Sequence, residues 1–354
     1  MKKILVIQQK MIGDVLVSSI LCKNLKRAYP DAEIHYMVHA GTIPVLDGNP
    51  YIDKIVAFTQ EYRESKRALI RFVYSLRDEH YDLVVDAYSK LESWITVMFS
   101  NAPVRISYKK TGRSALYTHT IERSKKPETN LGLTIENRLA LLEPLNLDID
   151  LDPVPRLYVT RDEKRFAASL LKEHGVATNR PTVMVAVTGS ENLKTYPSGY
   201  MSELVNFIAD QYKVNILFNY NPVLKEKAER IYSLCKPETQ KKIFFDVYGK
   251  SLREYIAIME ASDLIVGNEG GAINMAKALD KPSFAIFSPW IPKEEWATFE
   301  DGKQHVSIHL KDIKPELFEN KKIKELKRTA FDLYKEFVPE YILNHLKKFL
   351  DRNL

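Results

Sequence analysis

The chain has 354 residues, 45% of them apolar and 28% charged, with a formal net charge of +6. That composition excludes a disordered chain and a helical membrane protein: it offers core material for two domains of ~150 residues each, and no apolar run approaches the ~18 residues that cross a bilayer. The positive charge is too modest and too dispersed for a nucleic-acid binder, but it suits an anionic substrate or a membrane surface.

The amino terminus, Met-Lys-Lys-Ile-Leu-Val, enters a strand directly, which argues against a signal peptide and for a cytoplasmic protein. The isolated Cys22 and Cys235 have no metal-type spacing and read as buried thiols in a reducing compartment. In the first half, apolar runs at Lys3–Gln8, Glu33–Val38, Lys54–Phe58, Leu83–Asp86 and Val104–Ser107 predict strands. Helical spacing at Asp14–Tyr29, Arg67–Asp78, Lys90–Ser100 and Asn130–Leu145 predicts helices alongside them. This βαβα alternation indicates a doubly wound, mostly parallel sheet. Leu151–Val159, with Pro153 and Pro155, reads as an extended connector, and a domain boundary falls at residue 160.

The rhythm then restarts. Strands are predicted at Thr182–Val187, Val214–Phe218, Ile243–Asp246, Leu264–Val266 and Ser283–Phe287. Helices are predicted at Arg161–His174, Ser198–Gln211, Lys225–Leu234, Ser251–Ala261 and Ala272–Leu279. A second domain therefore runs from 161 to 327. The tail, 328–354, is helical, is divided by Pro339, and is expected to pack back on the first domain.

Ligands of doubly wound sheets bind outside the carboxyl ends of the strands, which ranks the polar residues. After the first strand comes Gln8-Gln9-Lys10-Met11-Ile12-Gly13-Asp14, with a single glycine where the dinucleotide fingerprint wants three. Asp14 suits either a helix N-cap or a general base facing a cleft. In Thr188-Gly189-Ser190 with Lys194, hydroxyls and a lysine together could hold a phosphate, or form a solvated surface loop. Glu226 follows the next strand and suits ribose hydroxyls or an open helix face. Gly270 and Gly271 remove side chains at a strand-to-helix turn, which is either ordinary βα punctuation or a place where free N–H groups and the helix dipole favour an anion. On the first domain, Arg63, Arg67 and Arg71 recur at i, i+4 and i+8 with Lys66 beside them, and Lys109, Lys110 and Arg113 form a second basic group; both suit either a solvated basic face or the anionic groups of a ligand. The histidines, His305 and His309 included, lack partners at metal spacing and read as structural. No metal and no cofactor is expected.

Met11-Ile12-Gly13-Asp14-Val15-Leu16, Lys194-Thr195-Tyr196-Pro197 and the turn and helix of 268–279, in this order, resemble the ADP-heptose:lipopolysaccharide heptosyltransferases of glycosyltransferase family 9. Ser251-Leu252-Arg253-Glu254-Tyr255 and Tyr81-Asp82-Leu83-Val84-Val85-Asp86 match secondary patterns of that family. The resemblance covers about residues 1–310. It implies an α/β, GT-B fold: two Rossmann-like doubly wound domains facing a central cleft, the first for the acceptor and the second for the nucleotide sugar. It implies inverting, metal-independent transfer, with Asp14 as the base and Lys194 stabilising the leaving diphosphate. Thr188, Gly189, Ser190, Glu226, Glu269, Gly270, Gly271 and Asn274 then fall on the donor. Gly13, Arg63, Lys66, Arg67, Lys109, Lys110 and Arg113 fall on a lipid-linked saccharide acceptor at the inner face of the cytoplasmic membrane. Two positions depart from the family's usual residues: Glu269 stands for aspartate and Asn274 for histidine. A family member using another nucleotide sugar for capsule or O-antigen synthesis, and a nucleotide-binding module without catalysis, are the alternative readings.

Overall fold

The apolar runs fold as two parallel sheets, and a computed structural model describing residues 1–354 divides into two units, Met1–Tyr158 and Val159–Leu354. In the first unit, β1 (Lys3–Ile7), β2 (Glu33–His39), β3 (Lys54–Phe58), β4 (Leu83–Asp86), β5 (Val104–Tyr108) and β6 (His119–Ile121) form one sheet. Its order is β3-β2-β1-β4-β5-β6, with every pairing parallel. The chain winds outward from β1 in one direction and from β4 in the other. The switch point therefore lies between β1 and β4, and the loops that follow those two strands open side by side.

In the second unit, β7 (Thr182–Ala186), β8 (Asn215–Leu217), β9 (Leu264–Asn268), β10 (Ser283–Ile286) and β11 (His305–Ile308) pair in the order β11-β10-β9-β7-β8, again all parallel. Here the switch point lies between β7 and β9. The strands are buried on both faces, as crossover helices on either side of a parallel sheet require. No helix of the chain is long and apolar enough to cross a membrane.

Four expectations need correction. Ile243–Asp246 is not a strand: Ile243 makes one parallel bridge to Ile216, and a turn closed by the Val247 N–H on the Phe244 carbonyl ends the ladder. β6 and β11 were not anticipated, because each is a short edge strand of three or four residues mixing polar with apolar side chains. Asn130–Leu145 is shorter than its periodicity suggests, a helix over Leu133–Ala140 followed by one 3₁₀ turn. The tail, expected on the first domain, is built into the second unit. Leu333, Tyr334, Phe337, Ile342, Leu346, Phe349 and Leu350 are buried in one core with Val183, Val266 and Phe284 of the second sheet. The Tyr196 hydroxyl donates to the Phe337 carbonyl at 2.6 Å. Pro339 does divide the tail, at the start of the helix Glu340–Asn353.

Candidate functional site

In the second unit, the segments after β7 and β9 meet because their strands are neighbours across the switch point. Asn268, the last residue of β9, ties them together: its Oδ1 accepts the Tyr196 N–H at 2.7 Å and its Nδ2 donates to the Ala186 carbonyl at 2.9 Å. The loop after β7 also closes on itself, with the Thr195 hydroxyl accepting the Gly189 N–H and donating to the Glu191 carbonyl. Gly189 is required by close approach. A Cβ there would lie 2.1 Å from the Lys194 carbonyl oxygen, so only a glycine lets the loop fold against Lys194.

Lys194 forms no ion pair; its ammonium lies over the Trp290 ring, 5.3 Å from the centroid, and Lys327 lies over the same ring at 4.3 Å. Trp290 is held in turn by its indole N–H on the Leu193 carbonyl at 3.0 Å. Beside this loop, Gly270 takes φ +142°, a conformation that side chains resist, and caps the helix Gly271–Ala278 without any side-chain cap. The first N–H groups of that helix therefore have no partner within it. Glu269 is 8% exposed, with Oε2 unpartnered. Burial pushes its carboxyl up, while the Lys194 charge draws it down. A free cation, open helix amides and an unsatisfied buried carboxylate are thus gathered at one switch point. Asn274 is buried one turn along the same helix. Thr188 is half-buried, Ser190 is exposed, and Glu226 is exposed in the first turn of its helix. The helix carrying Glu226 is tied to the Lys194 loop by Lys227, whose ammonium donates to Asn192 Oδ1 at 2.6 Å.

In the first unit, Asp14 is not the N-cap. Met11 caps the helix Ile12–Ala28, and Asp14 sits in its first turn, where Oδ2 accepts the Met11 N–H at 3.3 Å. Oδ1 accepts from Arg138 Nη2 at 2.6 Å. Gly13 is buried next to it. Sequence reading missed Arg138, because nothing local marks a contact spanning 124 positions.

The basic residues are sorted differently from their spacing. Arg63, Arg67 and Arg71 do not share a helical face: Ser65 is extended and caps a new helix, Lys66–Arg77, leaving Arg63 on the short turn before it. Arg63 pairs with Glu92 at 3.1 Å, whereas Lys66, Arg67 and Arg71 are exposed. Lys109 pairs with Glu122 at 2.6 Å. Lys110 turns the other way, donating to the Ser89 carbonyl at 2.6 Å. Burial, and then the charges of Arg123, Arg113 and Lys90 around it, depress its ammonium's pKa. Those neighbours are held by aromatic faces: Arg113 lies 3.4 Å from the Trp94 centroid, Arg123 3.9 Å from Tyr108, and Lys90 4.8 Å from Tyr88. None of the four forms an ion pair, although the nearby Asp86 charge acts on Lys110 in the opposite sense. Asp86, at the carboxyl end of β4, builds the turn behind Lys90 by accepting the N–H groups of Tyr88 and Ser89 and the Tyr117 hydroxyl. The strand-end rule could have found Lys90; Arg123 carried no signal. No group of three or more His, Cys, Asp or Glu side chains is placed to hold a metal ion.

Comparison with known proteins follows the same lines. Residues 69–326 match the family model described as glycosyltransferase family 9 (heptosyltransferase). Lipopolysaccharide heptosyltransferase 1 of Campylobacter coli is 24% identical over 291 residues, covering 80% of this chain and 83% of its own length. Lipopolysaccharide heptosyltransferase 2 of Salmonella typhimurium is 25% identical over 305 residues, covering 82% and 84%. Among solved structures, a family 9 glycosyl transferase from Veillonella parvula superposes with a TM-score of 0.76 at 16% identity, covering 95% of this chain and 98% of that one. The E. coli ADP-heptose heptosyltransferase II gives 0.69 at 20%, covering 95% and 99%. At such identities the structural likeness speaks to the fold, and that fold is GT-B.

Proposed function

The chain belongs to glycosyltransferase family 9, and from that premise we propose that it transfers a heptosyl group from ADP-heptose to a hydroxyl of a lipopolysaccharide core or related lipid-linked saccharide. The observation that carries the donor side is Lys194, free of any ion pair, beside the unsatisfied Glu269 carboxylate and the open amides after Gly270. In this reading the diphosphate lies on those amides and on Lys194, with Thr188 and Ser190 supplying hydroxyls, Glu226 the ribose contact, and Glu269 and Asn274 the sugar contacts. Asp14 takes the proton of the acceptor hydroxyl. The hydroxyl oxygen bonds to the anomeric carbon from the face opposite the diphosphate. The anomeric carbon–oxygen bond breaks, its electron pair leaves with ADP, and the configuration inverts. Lys194 and the helix amides neutralise the charge that develops on the leaving group, a role a metal ion fills in other transferases.

For the acceptor, the cluster of Lys90, Lys110, Arg113 and Arg123, which forms no ion pair, replaces the stripe read from the sequence as the site for anionic groups. Lys109, paired outward with Glu122, drops out of it. Transfer at the inner face of the cytoplasmic membrane, with peripheral contact, completes the reading. A second donor deserves a place, because Glu269 and Asn274 stand where the family usually has aspartate and histidine. The test is calorimetry of ADP-heptose against UDP-, GDP- and dTDP-sugars, followed by transfer assays on the wild type and Asp14→Asn. The proposal expects ADP-heptose to bind tightest and Asp14→Asn to lose about 10²–10⁴ in turnover with donor affinity kept. Tighter binding of another sugar nucleotide overturns the donor, and undiminished transfer by Asp14→Asn overturns the base.

A further inference from the structure

We infer that Arg138 is the positioning residue for the Asp14 carboxylate, acting through a clamp that selects which oxygen receives the acceptor proton. The inference rests on the reading of Asp14 as the base. Arg138 is 8% exposed and lies on the helix Leu133–Ala140, which packs against the helix Ile12–Ala28. Three of its bonds fix the guanidinium. Nη1 donates to the Thr134 carbonyl at 3.0 Å, one turn back on its own helix. Nε donates to Ser18 Oγ at 2.6 Å, and Nη2 donates to Asp14 Oδ1 at 2.6 Å.

Asp14 and Ser18 are four residues apart on one helix, so their side chains share a face. The planar fork meets both at once, which a lysine's single ammonium cannot do. Oδ1 is thereby engaged in a charge-assisted bond. Oδ2 keeps only the long 3.3 Å contact from the Met11 N–H, and the Asp14 side chain remains about a quarter exposed. Of the two oxygens, Oδ2 is therefore the one free to accept a proton, and Arg138 holds it in that orientation. Arg138 has no other carboxylate within ion-pair distance.

A purely structural ion pair would tie the two helices together and do nothing else, and the two roles separate in kinetics. Arg138→Gln should lower kcat by about ten- to a hundredfold, the range for losing a hydrogen bond to a charged group, with KM for both substrates within about twofold. Arg138→Lys should recover part of that rate. In an Asp14→Asn background, Arg138→Gln should cost nothing further, because a residue acting through Asp14 has nothing left to position. Should Arg138→Gln fold poorly, Ser18→Ala, which keeps the charge pair and loosens the fork, should still lower kcat several-fold. A fall in melting temperature with kcat unchanged in Arg138→Gln or Ser18→Ala, or additive losses in the double variant, overturns the inference while leaving Asp14 as the base. Wild-type turnover in Asp14→Asn alone overturns the underlying reading instead.

Discussion

Replacing Gly189 by alanine tests whether the loop after β7 exists to place Lys194. The added Cβ would stand 2.1 Å from the Lys194 carbonyl oxygen and 2.6 Å from its carbonyl carbon, against the 3.0 Å below which such contacts are not found. Both are backbone atoms, so no rotamer change relieves the clash, and the Lys194 backbone has to withdraw by about 1 Å. The loop cannot absorb that locally, because Thr195 closes it on Gly189 and Asn268 holds Tyr196 from β9. The ammonium then moves relative to Glu269 and the helix amides, and a misplacement of ~1 Å in a catalytic group costs on the order of 10² in rate. Overpacking should also lower stability by about 1–3 kcal/mol. The assay is steady-state transfer with the sugar nucleotide, paired with calorimetry of ADP and a melting curve. Gly199→Ala is the matched control: Gly199 lies in the next helix with nothing within 4 Å of the added carbon. That change should leave the rate alone and stabilise the fold slightly. Gly189→Ala turnover within about threefold of wild type would refute the argument that this glycine positions Lys194.

Lys194→Ala should weaken binding of the nucleoside diphosphate and slow transfer, and Lys194→Arg should recover binding better than rate; equal ADP affinity in all three proteins removes Lys194 from the site. Glu269→Gln should relax discrimination among sugar nucleotides by roughly ten- to a hundredfold while ADP binds as before, since a charged hydrogen bond is worth about 1.5–3 kcal/mol. If ADP and the intact donor weaken equally by calorimetry, Glu269 holds the turn and touches no sugar. Burial pushes the imidazoles of His305 and His309 down from 6.5 to about 4, with Lys277 adding to the effect at His305. Below pH 6.5 the unfolded chain binds these protons and the folded chain does not. Stability should therefore fall as pH drops from 6.5 to 4, by on the order of 3 kcal/mol for each histidine. Urea unfolding at pH 7 and pH 4.5 should show a smaller difference in His305→Gln than in wild type, and an identical difference would refute this account.

Most of the architecture was legible in the sequence because it is written in local patterns. Apolar runs alternating with amphipathic stretches are enough to specify parallel sheets with helices on their faces; a strand-end rule points to Asp14 and Lys194, a glycine turn marks Gly270, and the family resemblance adds Glu269, without any contact being known. What local pattern could not decide was destination. The tail's apolar positions said that it must be buried, not where; in the fold they join the core beside Val183 and Phe284 of the second unit. Spacing put Arg63, Arg67 and Arg71 on one stripe, and one extended residue, Ser65, broke the helix between them. Lys109 and Lys110 are adjacent in sequence yet belong to different electrostatic settings, since neighbours near a strand end point opposite ways. Lys90 and Arg123 joined Lys110 only when β4 and β5 paired and β6 closed the edge. Arg138 reached Asp14 only by the packing of two helices far apart in sequence. Strands, turns and the residues that end them are properties of short windows. The partners that orient those residues come from distant segments, and only the folded chain brings the two together.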